Sequence, residues 1–119
     1  MATGLTDKLK EHFPKIFGEK KSLKIEIGEG SIAIEETRGI SAYPFKVVGD
    51  VLVIGGPVGI GMGDNNFVKN ILRLTEAAAR EAGFSQINYD ADDSEDRQTA
   101  SIEGYTFGEQ SYVGVKRLK

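Results

Sequence analysis

Apolar residues recur at Leu5, Leu9, Phe13 and Phe17, a four-residue spacing that lines one face of a helix. Pro14 predicts a kink or stop in that helix, and Gly18 closes the segment. The period then changes to two. Leu23, Ile25 and Ile27 alternate with Lys24 and Glu26, and Ile32 and Ile34 resume the alternation after Gly28-Glu29-Gly30-Ser31. This pattern predicts a β-hairpin that ends at Arg38-Gly39. A third strand is expected from Tyr43 to Val48, with Pro44 implying an edge position or a bulge at its start. Gly49-Asp50 is a two-residue hairpin signal. The unbroken apolar run Val51-Leu52-Val53-Ile54 then predicts a central strand buried on both faces.

The longest amphipathic pattern follows. Phe67, Ile71, Leu74, Ala78 and Ala82 share one helical face with Val68 and Leu72 beside them, while Lys69, Arg73, Glu76 and Arg80 point away. The helix is expected over 66–82, capped by Asp64, Asn65 or Asn66 and stopped at Gly83. Ile87 and Tyr89 predict a strand parallel to 51–54, because a helix joins the two as a right-handed crossover. The polar stretch 90–98 predicts a loop or short helix running toward Ile102. Tyr105-Thr106-Phe107 and Tyr112 to Val115 form a closing hairpin around Gly108-Glu109. The fold class is therefore α/β (α+β): one domain over 1–119, with a small, mixed, mostly antiparallel sheet and one long helix after the central strand.

Composition narrows function mainly by exclusion. At 119 residues, 39% of them hydrophobic, the chain can bury one core but not two. A net charge of −3 argues against nucleic acid or anionic lipid as a general partner. With no cysteine there are no disulfides or thiolate sites, and a single histidine, His12, removes the imidazole pairs of zinc centres, so no metal is expected. The N-terminus carries no signal-like apolar run and no stretch has the length of a membrane span, so a cytoplasmic location is expected.

The glycine-crowded segment Gly55-Gly56-Pro57-Val58-Gly59-Ile60-Gly61-Met62-Gly63 feeds the long helix. Bare backbone N–H groups before a helix favour an anion, so a phosphate-bearing ligand is one reading. The other is a connection that lets strand and helix pack closely. No Gly-Lys-Ser/Thr follows, and Asp64 stands where a dinucleotide fingerprint needs glycine. Asp64 would also compete with a phosphate at the helix start. The run Asp90-Ala91-Asp92-Asp93-Ser94-Glu95-Asp96 begins like a calcium loop, but Glu95 and Ser101 occupy the positions that need glycine and a bidentate glutamate. It remains a solvated loop, a weak cation site or a contact surface for a basic partner. His12 has no carboxylate partner evident in sequence. Glu35, Glu36, Tyr43, Tyr105 and Tyr112 could move protons if they line a cleft, and are otherwise structural.

The order of helix, strands, glycine loop, long helix, strand, short polar connection and closing strands resembles the GCN5-related N-acetyltransferase family. Gly59-Ile60-Gly61-Met62-Gly63 is similar to that family's pyrophosphate loop. Ala79-Arg80-Glu81-Ala82-Gly83-Phe84 resembles its following helix end, and Ile102-Glu103-Gly104-Tyr105 the turn into its sixth strand. The resemblance implies acetyl-CoA as cofactor. Gly59, Ile60, Gly61, Met62 and Gly63 would hold its pyrophosphate, while the edges of Val53 and Ile54 pair with the pantetheine arm. The thioester would lie where the two parallel strands splay apart. No catalytic residue is assigned. Gly56 or Val58 stands where the family has Gln or Arg, Ala100 falls near its tyrosine acid, and its first strand is absent. Two functions stay open: a minimal acyl-CoA-dependent N-acyltransferase, and a non-catalytic binding or inhibitory protein that meets a partner through its acidic loop or a sheet edge.

Overall fold

The computed structural model describes residues 4–18, 24–27, 30–36, 39–56, 58–60 and 65–118. The first helix, α1, spans Leu5–Phe17 and buries Leu5, Leu9 and Phe17, as the four-residue spacing requires. Pro14 does not end it. The helix runs on to Phe17, and the Gly18 N–H donates to the Pro14 carbonyl at 3.0 Å.

Strand β1 (Lys24–Ile27) pairs antiparallel with β2 (Ser31–Glu36), which pairs with the long β3 (Gly39–Val48). Neither of the roles expected for Pro44 describes its own strand, since β3 lies inside the sheet. One flank of β3 carries β2. The other carries β4 (Val51–Gly55) along its second half and the short β5 (Val58–Ile60) along its first half. The three positions between Ile54 and Val58 face only two on β3, between Phe45 and Ala42. One extra residue is therefore inserted between β4 and β5, which is a β-bulge. The Phe45 N–H donates toward β2, to the Gly30 carbonyl at 2.9 Å. Alternation then turns the N–H-less nitrogen of Pro44 toward the bulge, where the ladder is already interrupted.

Helix α2 (Asn65–Ala82) carries the chain over to β6 (Gln86–Asp90), parallel to β4 from Val51↔Gln86 to Gly55↔Asp90. Gly83 takes φ +91°, the left-handed conformation that ends the helix. Helix α3 (Ser94–Ile102) follows, then β7 (Thr106–Phe107) and β8 (Val113–Arg117), with β8 lying between β6 and β7. The result is the expected mixed, mostly antiparallel sheet, here of eight strands, with the long helix after its central strand.

The three helices share one face of the sheet. Leu52, Ile54, Ile87, Tyr89, Ile32 and Tyr43 join Ile71, Leu74, Ala78 and the buried residues of α1 in one cluster. Ion pairs from α2 reach the same side: Arg73 to Glu103 at 2.7 Å, and Glu76 to both Arg80 and Lys116 at 3.0 and 2.8 Å. Partial burial pushes the Glu76 carboxyl up, but hydrogen bonds from Lys116 and Arg80 outweigh it and hold the group below its ordinary range. The opposite face is uncovered among the described residues. Val51 and Val53 are only half-buried, and Val48 and Val113 are 56% and 46% exposed. The expectation that 51–54 is buried on both faces is therefore corrected. Its apolar residues out of phase with Leu52 and Ile54 face solvent, because every helix lies on the other side.

Candidate functional site

Parallel strands that end together, beside an antiparallel neighbour, leave a crevice at their carboxyl ends. Here that end is Gly55 on β4 and Asp90 on β6, register partners. A groove of about 240 Å³ opens there on the uncovered face, lined by Pro44, Phe45, Lys46, Val53, Gly55 and Asp90. Its floor is low because residue 55 is glycine: a Cβ there would meet Pro44 Cγ at 3.1 Å. Lys46 and Asp90 are exposed, and neither side chain has an ion-pair or hydrogen-bond partner among the described residues.

The strands do not splay within 51–54. The Gly56 N–H donates to the Asp90 carbonyl at 2.9 Å, one step beyond the last ladder pair. Past this point β5 follows β3 while the chain after Asp90 turns into α3. That turn closes tightly on Gly56, where a Cβ would stand 2.7 Å from Asp96 Oδ2 and 3.2 Å from the Asp92 backbone nitrogen. The acidic run is thus ordered and divided in function. The Asp93 carboxylate caps α3, accepting the Asp96 N–H at 2.8 Å. Asp96, only 5% exposed, accepts the Tyr89 hydroxyl at 2.6 Å and the Asp92 N–H at 2.7 Å. Burial is the larger influence on Asp96 and holds its carboxyl above the ordinary 3.8, despite those two donors. Burial and then the Asp96 hydrogen bond raise the Tyr89 hydroxyl, and burial with the Asp96 charge raises Tyr43. None of these tyrosines is poised to lose a proton. Asp90, Asp92, Asp93 and Glu95 are exposed, so a contact surface in this run excludes Asp96.

The residues expected to hold a cofactor divide three ways. Val53 lines the groove, and Ile54 is buried toward the helices. Their main-chain edges are not free: β3 pairs with β4 on one side and β6 on the other, so a pantetheine arm cannot add there. Gly59 and Ile60 belong to β5 rather than to a loop, paired with Ser41 and Ile40. Among the described residues β5 pairs with β3 alone, so its outer edge is open. Gly61, Met62, Gly63 and Asp64 lie outside the described residues.

The other candidates do not converge on the groove. Glu35 and Glu36 lie at the far end of β2 from Ser31, the register partner of Pro44. Tyr112 is exposed, with the Arg97 guanidinium 6.0 Å from its ring and 5.1 Å from that of Phe107. Tyr105 is 4% exposed, and its hydroxyl has no hydrogen-bond partner among the described residues. His12 does have a carboxylate partner, supplied by tertiary structure: its Nε2 meets Glu81 of α2. Glu11 brings a third ligand atom within 4.8 Å. Lys8 already pairs with Glu11 at 3.3 Å, and His12, Lys8 and Lys15 all lower the Glu81 carboxyl, so this cluster is a charge-balanced clasp between α1 and α2.

No protein-family model matches the sequence, and no curated protein matches it. Among solved structures, a chain from the AtaT–AtaR complex bound to DNA aligns over 92% of this chain and 72% of that one, with a TM-score of 0.48 and 12% identity. A similarity of this size carries no function across. No helix among the described residues is long and apolar enough to cross a membrane. By the order and pairing of its elements, the chain has a mixed, mostly antiparallel α/β arrangement in which a long helix joins the two parallel strands.

Proposed function

We propose that this chain binds an acyl-CoA and is a minimal acyl-CoA-dependent N-acyltransferase. The observation that carries the reading is the outer edge of β5, open among the described residues and set by the bulge at the carboxyl end of a parallel strand pair. Unpaired strand groups favour a ligand rich in amides, because such a ligand adds as one more strand. The pantetheine arm has that chemistry. Main-chain groups of Val58, Gly59 and Ile60 would hold it, one strand later than Val53 and Ile54. The glycines at 61 and 63 and the N-terminus of α2 at Asn65 would follow at its phosphate end, where amides and helix dipole favour an anion. A bound acyl-CoA would supply a thioester as acyl donor. The groove at Gly55 and Asp90 would receive the acceptor, whose ammonium would give up a proton to Asp90 or water. The neutral amine would then attack the thioester carbonyl, the C–N bond forming as the C–S bond breaks and CoA leaves as its thiol.

A second reading is favoured by one observation: among the described residues no tyrosine or histidine lines the groove. On that reading the same β5 edge takes a peptide strand and no chemistry follows. Isothermal titration with acetyl-CoA and with CoA, alongside hydrogen exchange over 58–60, separates the two. Micromolar binding with slowed exchange at β5 supports the acyltransferase. No heat and no thermal shift at millimolar ligand leaves the peptide-binding reading standing.

A further inference from the structure

The groove carries chemistry beyond room for an amine. Among the described residues Lys46 and Asp90 are its only charged lining residues, of opposite sign, and neither is neutralised by another described side chain. They stand on the two strands that flank β4, Lys46 opposite Val53 and Asp90 opposite Gly55. Two inter-strand steps and a two-residue offset put their Cα atoms about 12 Å apart. The flexible lysine stem shortens the distance between the charges themselves. Between them lies an apolar floor of Pro44, Val53 and the bare backbone of Gly55. The volume of about 240 Å³ falls below the ~300–1,000 Å³ usual for drug-sized ligands, which suits a smaller molecule.

We propose that this groove is a binding site for a small zwitterion, a molecule with a primary ammonium and a carboxylate at opposite ends of a short apolar body. Asp90 takes the ammonium, Lys46 takes the carboxylate, and Val53 and Pro44 cover the methylenes. Opposite unpaired charges at the two ends select against ligands that carry only one charge. Each such ligand leaves one protein charge without a partner while still covering the floor. A ligand of this class would be the acyl acceptor if the acyltransferase reading holds, and that role rests on it. The binding itself does not.

The test is an amide-resolved NMR titration of the full chain with 5-aminopentanoate and with glycylglycine, using pentylamine and pentanoate as singly charged controls. Saturable shifts at Val53, Gly55 and Asp90 are expected. The better zwitterion should bind about ten-fold tighter than either control, the scale of one hydrogen-bonded charge. Asp90→Asn should reduce zwitterion affinity to that of pentanoate and leave pentanoate unchanged. Lys46→Met should do the reverse. Both residues are exposed, so an unchanged melting temperature certifies the fold of each variant. Zwitterions that bind no tighter than the controls, shifts away from the groove, or affinities indifferent to both substitutions would each overturn the proposal. Acetyl-CoA binding read by hydrogen exchange at β5 is independent of these outcomes. If it fails while the zwitterion binds, only the acceptor role is lost.

Discussion

The two faces of the central strands are built from the same stretches of chain and behave as different materials. On the helix side Ile54 is 0% exposed and, with Leu52, Ile87 and Tyr89, joins the core. On the other side Val53, Asn88 and Asp90 look outward, and a groove opens there. The acidic run repeats the contrast with two carboxylates: Asp96 is enclosed with two donors, and Asp90 stands in water with none. The closed face holds the molecule together, and a buried charge-bearing group such as Asp96 is hydrogen-bonded there. The open face contributes little to stability and is free to carry unpaired charge, which suits a site for ligands.

Substitution at adjacent residues gives the widest separation. Ile54→Ala should cost about 2–5 kcal/mol and Val53→Ala about 1 kcal/mol or less, measured by urea unfolding. Equal losses would mean that something covers the open face. Gly56→Ala comes next, with a cost of about 1–3 kcal/mol, since its Cβ meets Asp96 and the backbone of Asp92. Its hydrogen-exchange signature should be faster exchange at Asp92 and the start of α3, with β1 and β2 unchanged.

Asp96→Asn should cost about 1–3 kcal/mol at neutral pH, because the amide nitrogen replaces one of the two accepting oxygens and faces either the Asp92 N–H or the Tyr89 hydroxyl in its place. The pH dependence has a definite sign. Burial raises the Asp96 carboxyl in the folded state, so the folded protein holds this proton after the unfolded chain has released it. This contribution to stability is complete below the unfolded value near 3.8 and is lost as pH rises through the higher folded value. The stability of wild type relative to Asp96→Asn should therefore decline with rising pH across that window, and a flat difference would show Asp96 to be solvated. The smallest effect belongs to Tyr105→Phe. The variant removes a buried hydroxyl with no partner among the described residues, so its melting temperature should stay equal or rise slightly. A clear drop would mean that the hydroxyl has an ordered partner such as water.

Much of the architecture was legible because periodicity is a local property. The four-residue repeat of Leu5, Leu9 and Phe17 and the amphipathic pattern of 66–82 specify helices wherever they pack. The β-α-β order around α2 implied a parallel pair through the handedness of crossovers. Pro44 announced an irregularity, but the bulge lies in the facing chain, since an extra residue is defined only by the register of two strands. The groove was less visible. Lys46 and Asp90 are 44 positions apart and read as ordinary solvated residues. Their alternation out of phase with Tyr43, Ile87 and Tyr89 was the available signal, and it could place them on one face only after the strand order was known. Asp96 misled for the opposite reason: in a run of acids nothing local marks the one that a tyrosine seven residues earlier will enclose.

By itself, then, the sequence determined where helices and strands form, the parallel crossover, the helix stop at Gly83 and the apolar stripes that make the core. These depend on residues within a turn or two of one another, where propensity and period act directly. Among the described residues, tertiary structure alone decided that the three helices share one face, that β4 has both edges occupied while β5 has one open, and that His12 meets Glu81. It also decided which acid is buried and which lines a groove. Those outcomes depend on strand register and on which surface wins the helices, and both are settled by packing between segments far apart in the chain.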